Sequence, residues 1–133
     1  MTNKSKKILS EISFGELLDK ISILEIKLDK VKNKTNLQDI NKEYKSLIKA
    51  KNKNIKSLKK IKFLYSNLKK VNLKLWNIED SIRICEKNKN FNRKFIELAR
   101  DVYINNDKRA KIKSEINKVL GSNIKEIKQY VNY

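Results

Sequence analysis

The chain has 133 residues, no proline, two glycines, one cysteine and no histidine, and carries a formal charge of +18 at neutral pH. Nothing supplies the turns that a sheet protein needs, so the composition predicts an all-α fold in a single helical domain, residues 1–133. The absence of histidine removes Ser-His-Asp and Cys-His catalysis and most zinc sites, no glycine-rich phosphate loop is present, and no cofactor or metal is expected.

Residues 1–12 are basic and weakly patterned, the mark of a frayed start. Ser13 stands three before Glu16, the spacing of a capping box, and opens helix one over 13–32. Phe14, Leu17, Ile21, Leu24, Leu28 and Val31 then recur every three or four residues and form a seam, while Ile23 and Ile26 lie off it and require a second neighbour. Lys32 to Asn36 breaks the pattern, with Asn36 placed to cap the next helix. From 37 to 87 no glycine or proline intervenes, and apolar residues recur from Leu37 to Cys85, so one helix of roughly 50 residues, about 75 Å long, is predicted as a central spine. Its apolar seam thins at 49–54, where continuity is an open question. Asn88 to Asn90 is a polar turn, helix three runs over 91–120, Gly121 ends it as a left-handed cap, and 121–133 is a tail too short to be a helix alone. The expected architecture is therefore three main helices in an antiparallel hairpin or bundle with coiled-coil character. Such two-helix sections bury little, so a twofold dimer is expected.

The stretch 75–117 holds the only tryptophan, the only cysteine and all four arginines, and the rest of the chain reads as its support. On the end of helix two, Trp76, Glu79, Asp80, Arg83 and Glu86 share a face, and on helix three Ala99, Tyr103, Asn106, Ala110, Lys113 and Asn117 form a stripe. If the faces meet, Glu79 or Asp80 takes Arg100 or Arg109, and Arg83 takes Glu97 or Asp107. Such a set either lines a cleft for an anionic molecule, clamped by arginine and lysine, or makes ion pairs that fix helix register. Glu16, Asp19, Lys20 and Lys27 of helix one complete the candidate binding set; Glu16 and Asp19 have the spacing of half the acidic metal motif of helical nucleotide pyrophosphohydrolases, without a partner helix to supply the rest.

Of the 33 basic residues only four are arginine, and lysines are point charges without the bidentate fork. The lysine-rich segment Lys49, Lys51, Lys53, Lys56, Lys59 and Lys60 is the candidate polyanion-binding face, the plain alternative being a solvated helix surface. Residues 1–75 carry a net +13 and residues 76–117 only +3, as expected if the charges of the second stretch pair with one another. Cys85 has no partner for a disulfide, and no run of 18 apolar residues or signal-peptide core exists, so a cytoplasmic protein without a transmembrane segment is expected.

The segments GELLDKISILEIKL (15–28), LWNIEDSIRICE (75–86), FIELARDVYINNDKRAKIKSEIN (95–117) and GSNIKEIKQY (121–130) resemble an uncharacterised bacterial domain family of unknown function, also met in phage-borne copies. That resemblance implies a setting among surface-polysaccharide assembly functions. Residues ELLDKISILEIKL also look like the first helix of the all-helical chorismate mutases, although the expected arginines are missing. Three functional readings stand: a dimeric, non-catalytic helical interaction protein that binds a protein partner or anionic ligand through 76–117; a small enzyme or sensor for an anionic metabolite, with Arg83, Arg100, Arg109 and Lys113 as clamps; and a lysine-driven binder of nucleic acid or a membrane surface.

Overall fold

A computed structural model of the chain describes residues 5–133, so the first part of the basic lead-in lies outside the described residues. These residues form four α-helices: α1 Phe14–Lys30, α2 Lys34–Asn54, α3 Lys59–Lys87 and α4 Arg93–Leu120. The fold is all-α, but the expected three helices with one long central spine do not form. The stretch from 37 to 87 is interrupted: Ile55 ends α2 and Leu58 precedes α3, both in extended conformation.

The reason is a phase shift in the apolar pattern. Tyr44, Leu47, Ile48 and Ile55 form one stripe, and Ile61, Leu64 and Leu68 form another. On one unbroken helix of 3.6 residues per turn these stripes would point roughly a third of a turn apart. Breaking the helix at 55–58 lets both reach one core with Leu17, Leu18, Ile21 and Ile116, so burial overrides uninterrupted local helix propensity.

The centre of the molecule is consequently α1 rather than 75–117. It packs against α2, α3 and α4, whereas α2 packs chiefly on α1. Leu18, Ile21 and Ser22 are essentially inaccessible, and Ile26, off the predicted seam, is buried as well. Two α1 stripes explain this: Leu17, Leu18, Ile21 and Leu24 enter the apolar core, while Gly15, Asp19, Ser22 and Ile26 recur at four, three and four residues on an adjacent buried strip. Helices α3 and α4 pair along a hairpin whose first half is braced by α1 and whose far half is two helices only. In that far half Ile84, Phe91, Ile96 and Tyr103 remain exposed.

Caps fix the ends. The Ser13 hydroxyl accepts from the Glu16 N–H at 3.1 Å, but the Glu16 carboxylate does not close a capping box; it turns to Lys113 and Lys20. Asn33, not Asn36, caps α2, accepting from the Asn36 N–H at 3.0 Å. Asn92 caps α4, and Gly121 ends it with φ 66°, the left-handed conformation that glycine adopts without a Cβ penalty. Beyond it the tail runs without regular structure back along α4, bringing Tyr133 edge-on to Tyr103 at 5.3 Å.

Candidate functional site

The polar set that assembles is built on Asp19. Its position in the middle of α1, between Leu18 and Ile21, carries the carboxylate into the junction of α1, α3 and α4 with only 1 % of its surface exposed. Arg109 of α4 grips it with two donors, Nε at 2.9 Å from Oδ1 and a terminal nitrogen on Oδ2. Asn72 of α3 donates its amide to Oδ1 at 2.8 Å and to Ser22 Oγ at 2.7 Å, and the Ser22 hydroxyl in turn donates to the Asp19 backbone carbonyl at 2.8 Å. Burial by itself raises the Asp19 carboxyl, but the hydrogen bonds from Arg109 and Asn72 and the charges of Arg109 and Lys113 outweigh it, leaving the group below the ordinary carboxylate range. The hydrogen bond to Asp19 raises Arg109 above its usual value, against burial.

Lys113, one turn further along α4, continues the network. Its ammonium meets Glu16 at 2.7 Å, Glu126 of the tail at 3.2 Å and Asp19 at 3.6 Å. Burial alone lowers Lys113, and these carboxylates reverse the sign so that it titrates above its usual value. Glu126 is held low, first by the hydrogen bond from Lys113. Next to these, the Gly15 N–H donates to Asn117 Oδ1 at 2.7 Å and the Phe14 N–H to Ser122 Oγ at 3.2 Å, so α4 and the tail supply acceptors for the free donors at the start of α1. The helices come so close here that a Cβ on residue 15 would stand 2.6 Å from the Lys113 carbonyl oxygen. Only glycine allows that approach.

A second, smaller set surrounds Glu25, where Tyr44 of α2 donates at 3.2 Å, Tyr65 of α3 donates to the other oxygen, and Lys69 lies 3.6 Å away. Burial, with the charge and hydrogen bond of Glu25, pushes both tyrosines up. Among the described residues no buried side-chain nitrogen or oxygen lacks a partner, and no group of three or more carboxylates and cysteines could hold a metal ion.

The structure thus brings together Glu16, Asp19, Lys20, Arg109, Lys113 and Asn117, with Asn106 3.5 Å from Arg109. It leaves the remainder of the predicted face apart. Trp76 is half-buried, and Glu79, Asp80, Arg83 and Glu86 are all exposed on α3. Arg83 pairs with Glu79 within its own helix at 3.8 Å, Glu86 with Lys89 at 3.5 Å, and Arg93 rather than Arg83 takes Glu97. Arg100 is exposed and Asp107 accepts from Tyr133, so none of the expected α3–α4 ion pairs forms. Lys27 lies half-buried in the last turn of α1. Of the lysine-rich set, Lys49, Lys53, Lys56, Lys59 and Lys60 are exposed, and Lys51 sits 5.6 Å above the Tyr65 ring.

A cavity of about 230 Å³ opens beside the network, lined by Glu16, Asn106, Arg109, Ala110, Lys113, Glu126 and Lys128. Each of its cations is already matched: Arg109 by Asp19, Lys113 by three carboxylates and Lys128 by Glu126 at 3.3 Å. The arrangement joins three helices and the tail; it does not present a free cationic clamp. Residues that sequence reasoning passes over, Asn72, Ser22, Ser122 and Glu126, are the ones that close it. For Asp19 and Ser22 a signal exists, two polar residues at helical spacing beside an apolar seam.

The chain belongs to a family of unknown function, DUF6165, whose model matches residues 8–133. No curated protein and no solved structure matches it. No helix among the described residues is long and apolar enough to cross a membrane.

Proposed function

We propose that the protein is a non-catalytic helical interaction protein, dimeric and cytoplasmic, that engages its partner through the hairpin arm of the 76–117 region. One observation carries this reading: beyond the Asp19 network, α3 and α4 run on as two helices with Ile84, Phe91 and Ile96 exposed, and Tyr103, met edge-on by Tyr133 of the tail, exposed in part. Two helices alone cannot seal an apolar seam, and a second copy would turn the hairpin into a four-helix section. The inward cations are neutralised within the chain, which favours an interface over a metabolite clamp. The family resemblance of the four segments suggests seeking a further protein partner among surface-polysaccharide assembly proteins.

Sedimentation velocity over a concentration series tests the dimer. The wild-type protein is expected to shift from monomer to dimer with concentration, and Ile96→Lys to remain monomeric with unchanged helicity. A wild-type protein that stays monomeric throughout would overturn the self-association. Tyr103→Ala and Arg83→Ala should likewise abolish capture of a protein partner while leaving helicity intact.

A further inference from the structure

Between residues 44 and 78 the chain has eleven lysines and no acidic residue. The break at 55–58 and the packing of α3 on α1 give this segment a defined outward face. Ile61, Leu64, Leu68 and Asn72 are buried against the core, while Lys59, Lys62, Phe63, Ser66, Lys70, Leu73 and Lys74 are all exposed at helical spacing on the opposite side. Within that lysine field stand Leu58, 42 % exposed, Phe63, 65 % exposed, and Leu73, 38 % exposed. Lys49 and Lys53 of α2 and Lys56 of the connection that precedes α3 are exposed as well. Of the nearby lysines, Lys69 is drawn to Glu25.

We infer that this outer face of α3, from Leu58 to Lys74, lies on an anionic lipid surface, with the lysines at the headgroups and Leu58, Phe63 and Leu73 as shallow apolar inserts. Three features select this occupant. The charge is lysine alone, since Arg83, Arg93, Arg100 and Arg109 all lie outside the face, and nucleic-acid phosphates and bases favour the arginine fork. Leu58 and Leu73 are aliphatic and cannot stack on bases as aromatic side chains do. Phe63 and Leu73 are ten residues, about 15 Å, apart on a helix, too dispersed for the packed centre of a protein interface but suited to a fluid surface that needs no matching shape. A lysine-rich helical face with a few exposed apolar side chains can lie in the plane of an anionic membrane interface, held mainly by charge, which needs no spanning helix. The inference is independent of the dimer, because it uses the outer side of α3 near the base and not the far arm.

Flotation with vesicles tests it, using phosphatidylcholine alone and phosphatidylcholine mixed with phosphatidylglycerol, alongside duplex DNA at the same salt. The full chain should float with the anionic vesicles only. Reversing Lys59, Lys62 and Lys70 to glutamate should weaken binding by more than about a hundredfold. Reversing Lys89, Lys94 and Lys108, which changes the net charge equally but lies on α4 and its preceding turn, should leave it nearly unchanged. Phe63→Ala should weaken vesicle binding roughly tenfold and leave DNA binding as it is. A Phe63→Trp reporter in a Trp76→Phe background should shift to the blue and be quenched by lipids brominated in the acyl chains. These positions are exposed or half-buried, and far-UV helicity checks that the fold is kept. The inference is overturned by absence of flotation, by equal flotation with uncharged vesicles, by equal loss in both triple variants, by a reporter that the brominated lipids leave unquenched, or by tighter binding to DNA than to anionic vesicles.

Discussion

The two halves of the α3–α4 hairpin are built from the same residue types and meet opposite circumstances. In the half near the termini, α1 lies against both helices, Leu68 and Ile116 are fully buried, and every buried polar side chain has a partner. In the far half only Ile78 and Cys85 of α3 and Asn105 of α4 are buried, ion pairs such as Arg93 with Glu97 and Glu86 with Lys89 are local and exposed, and large apolar side chains face outward. The difference is made by one short helix. Where α1 is present, long-range contacts fix the structure; where it is absent, the helices rest on propensity, local pairs and each other.

The base depends most directly on Asp19. Asp19→Ala leaves Arg109 without its carboxylate and Asn72 with half its acceptors, so a loss of about 3–5 kcal/mol is expected in urea unfolding. The same carboxylate sets an acid limb. Its folded pKa lies below its unfolded value of about 3.9, so its contribution is present above that value and is lost as pH falls through the lower, folded one. Lys113 has the opposite sign: its folded pKa is raised, so its contribution is complete below about 10.4 and is lost as pH rises through the folded value. In Asp19→Asn the acid limb should flatten; an unchanged acid limb would locate the acid sensitivity elsewhere.

A pair of truncations sharpens the contrast. Leu68→Ala, in the fully buried base, should cost about 2–5 kcal/mol, and Ile82→Ala, in the half-buried arm, about 1 kcal/mol at concentrations where the protein is monomeric. If a second copy covers the arm, the Ile82 cost should grow with protein concentration and the Leu68 cost should not. The smallest effect belongs to the arm's surface: Arg93→Ala, removing an exposed pair with Glu97 at 3.2 Å, should change stability by less than about 0.5 kcal/mol.

Much of the base is legible in the sequence where a single residue type dictates a local geometry. Ser13 and Gly121 mark the ends of α1 and α4 because a hydroxyl cap and a left-handed glycine have few substitutes. The interruption at 55–58 is hidden because no proline or glycine announces it; the sign is a change of phase between Tyr44, Leu47, Ile48 and Ile61, Leu64, Leu68, and phase matters only once a common partner is known. Lys113, Arg109, Asp19 and Glu16 are visible as candidates, but their pairings are not. Spacing matches Arg109 with acids of the neighbouring helix in the hairpin, whereas its partner lies 90 residues away on α1. Nothing in helical periodicity distinguishes those choices. The tail is expected to form no helix of its own and forms none; what its sequence hides is where it docks, because no spacing pairs Ser122, Glu126 and Tyr133 with Phe14, Lys113 and Asp107.

The bonds from Phe14 to Ser122 and from Asn123 to Glu11 hold the beginning of α1 beside the end of α4. In effect the chain closes on itself, and the order of its helices is a matter of where the ring is cut. A circular permutant whose linker is long enough to run from Tyr133, which lies against Tyr103 and Asp107 of α4, back to the residues before Ser13, and which opens between Asn88 and Asn92, would begin with α4 and finish with α3 while keeping the Asp19 junction whole. It would also trade the hairpin turn for two free ends at the tip of the arm, which makes the arm, and not the base, the natural place to attach a label or a second protein.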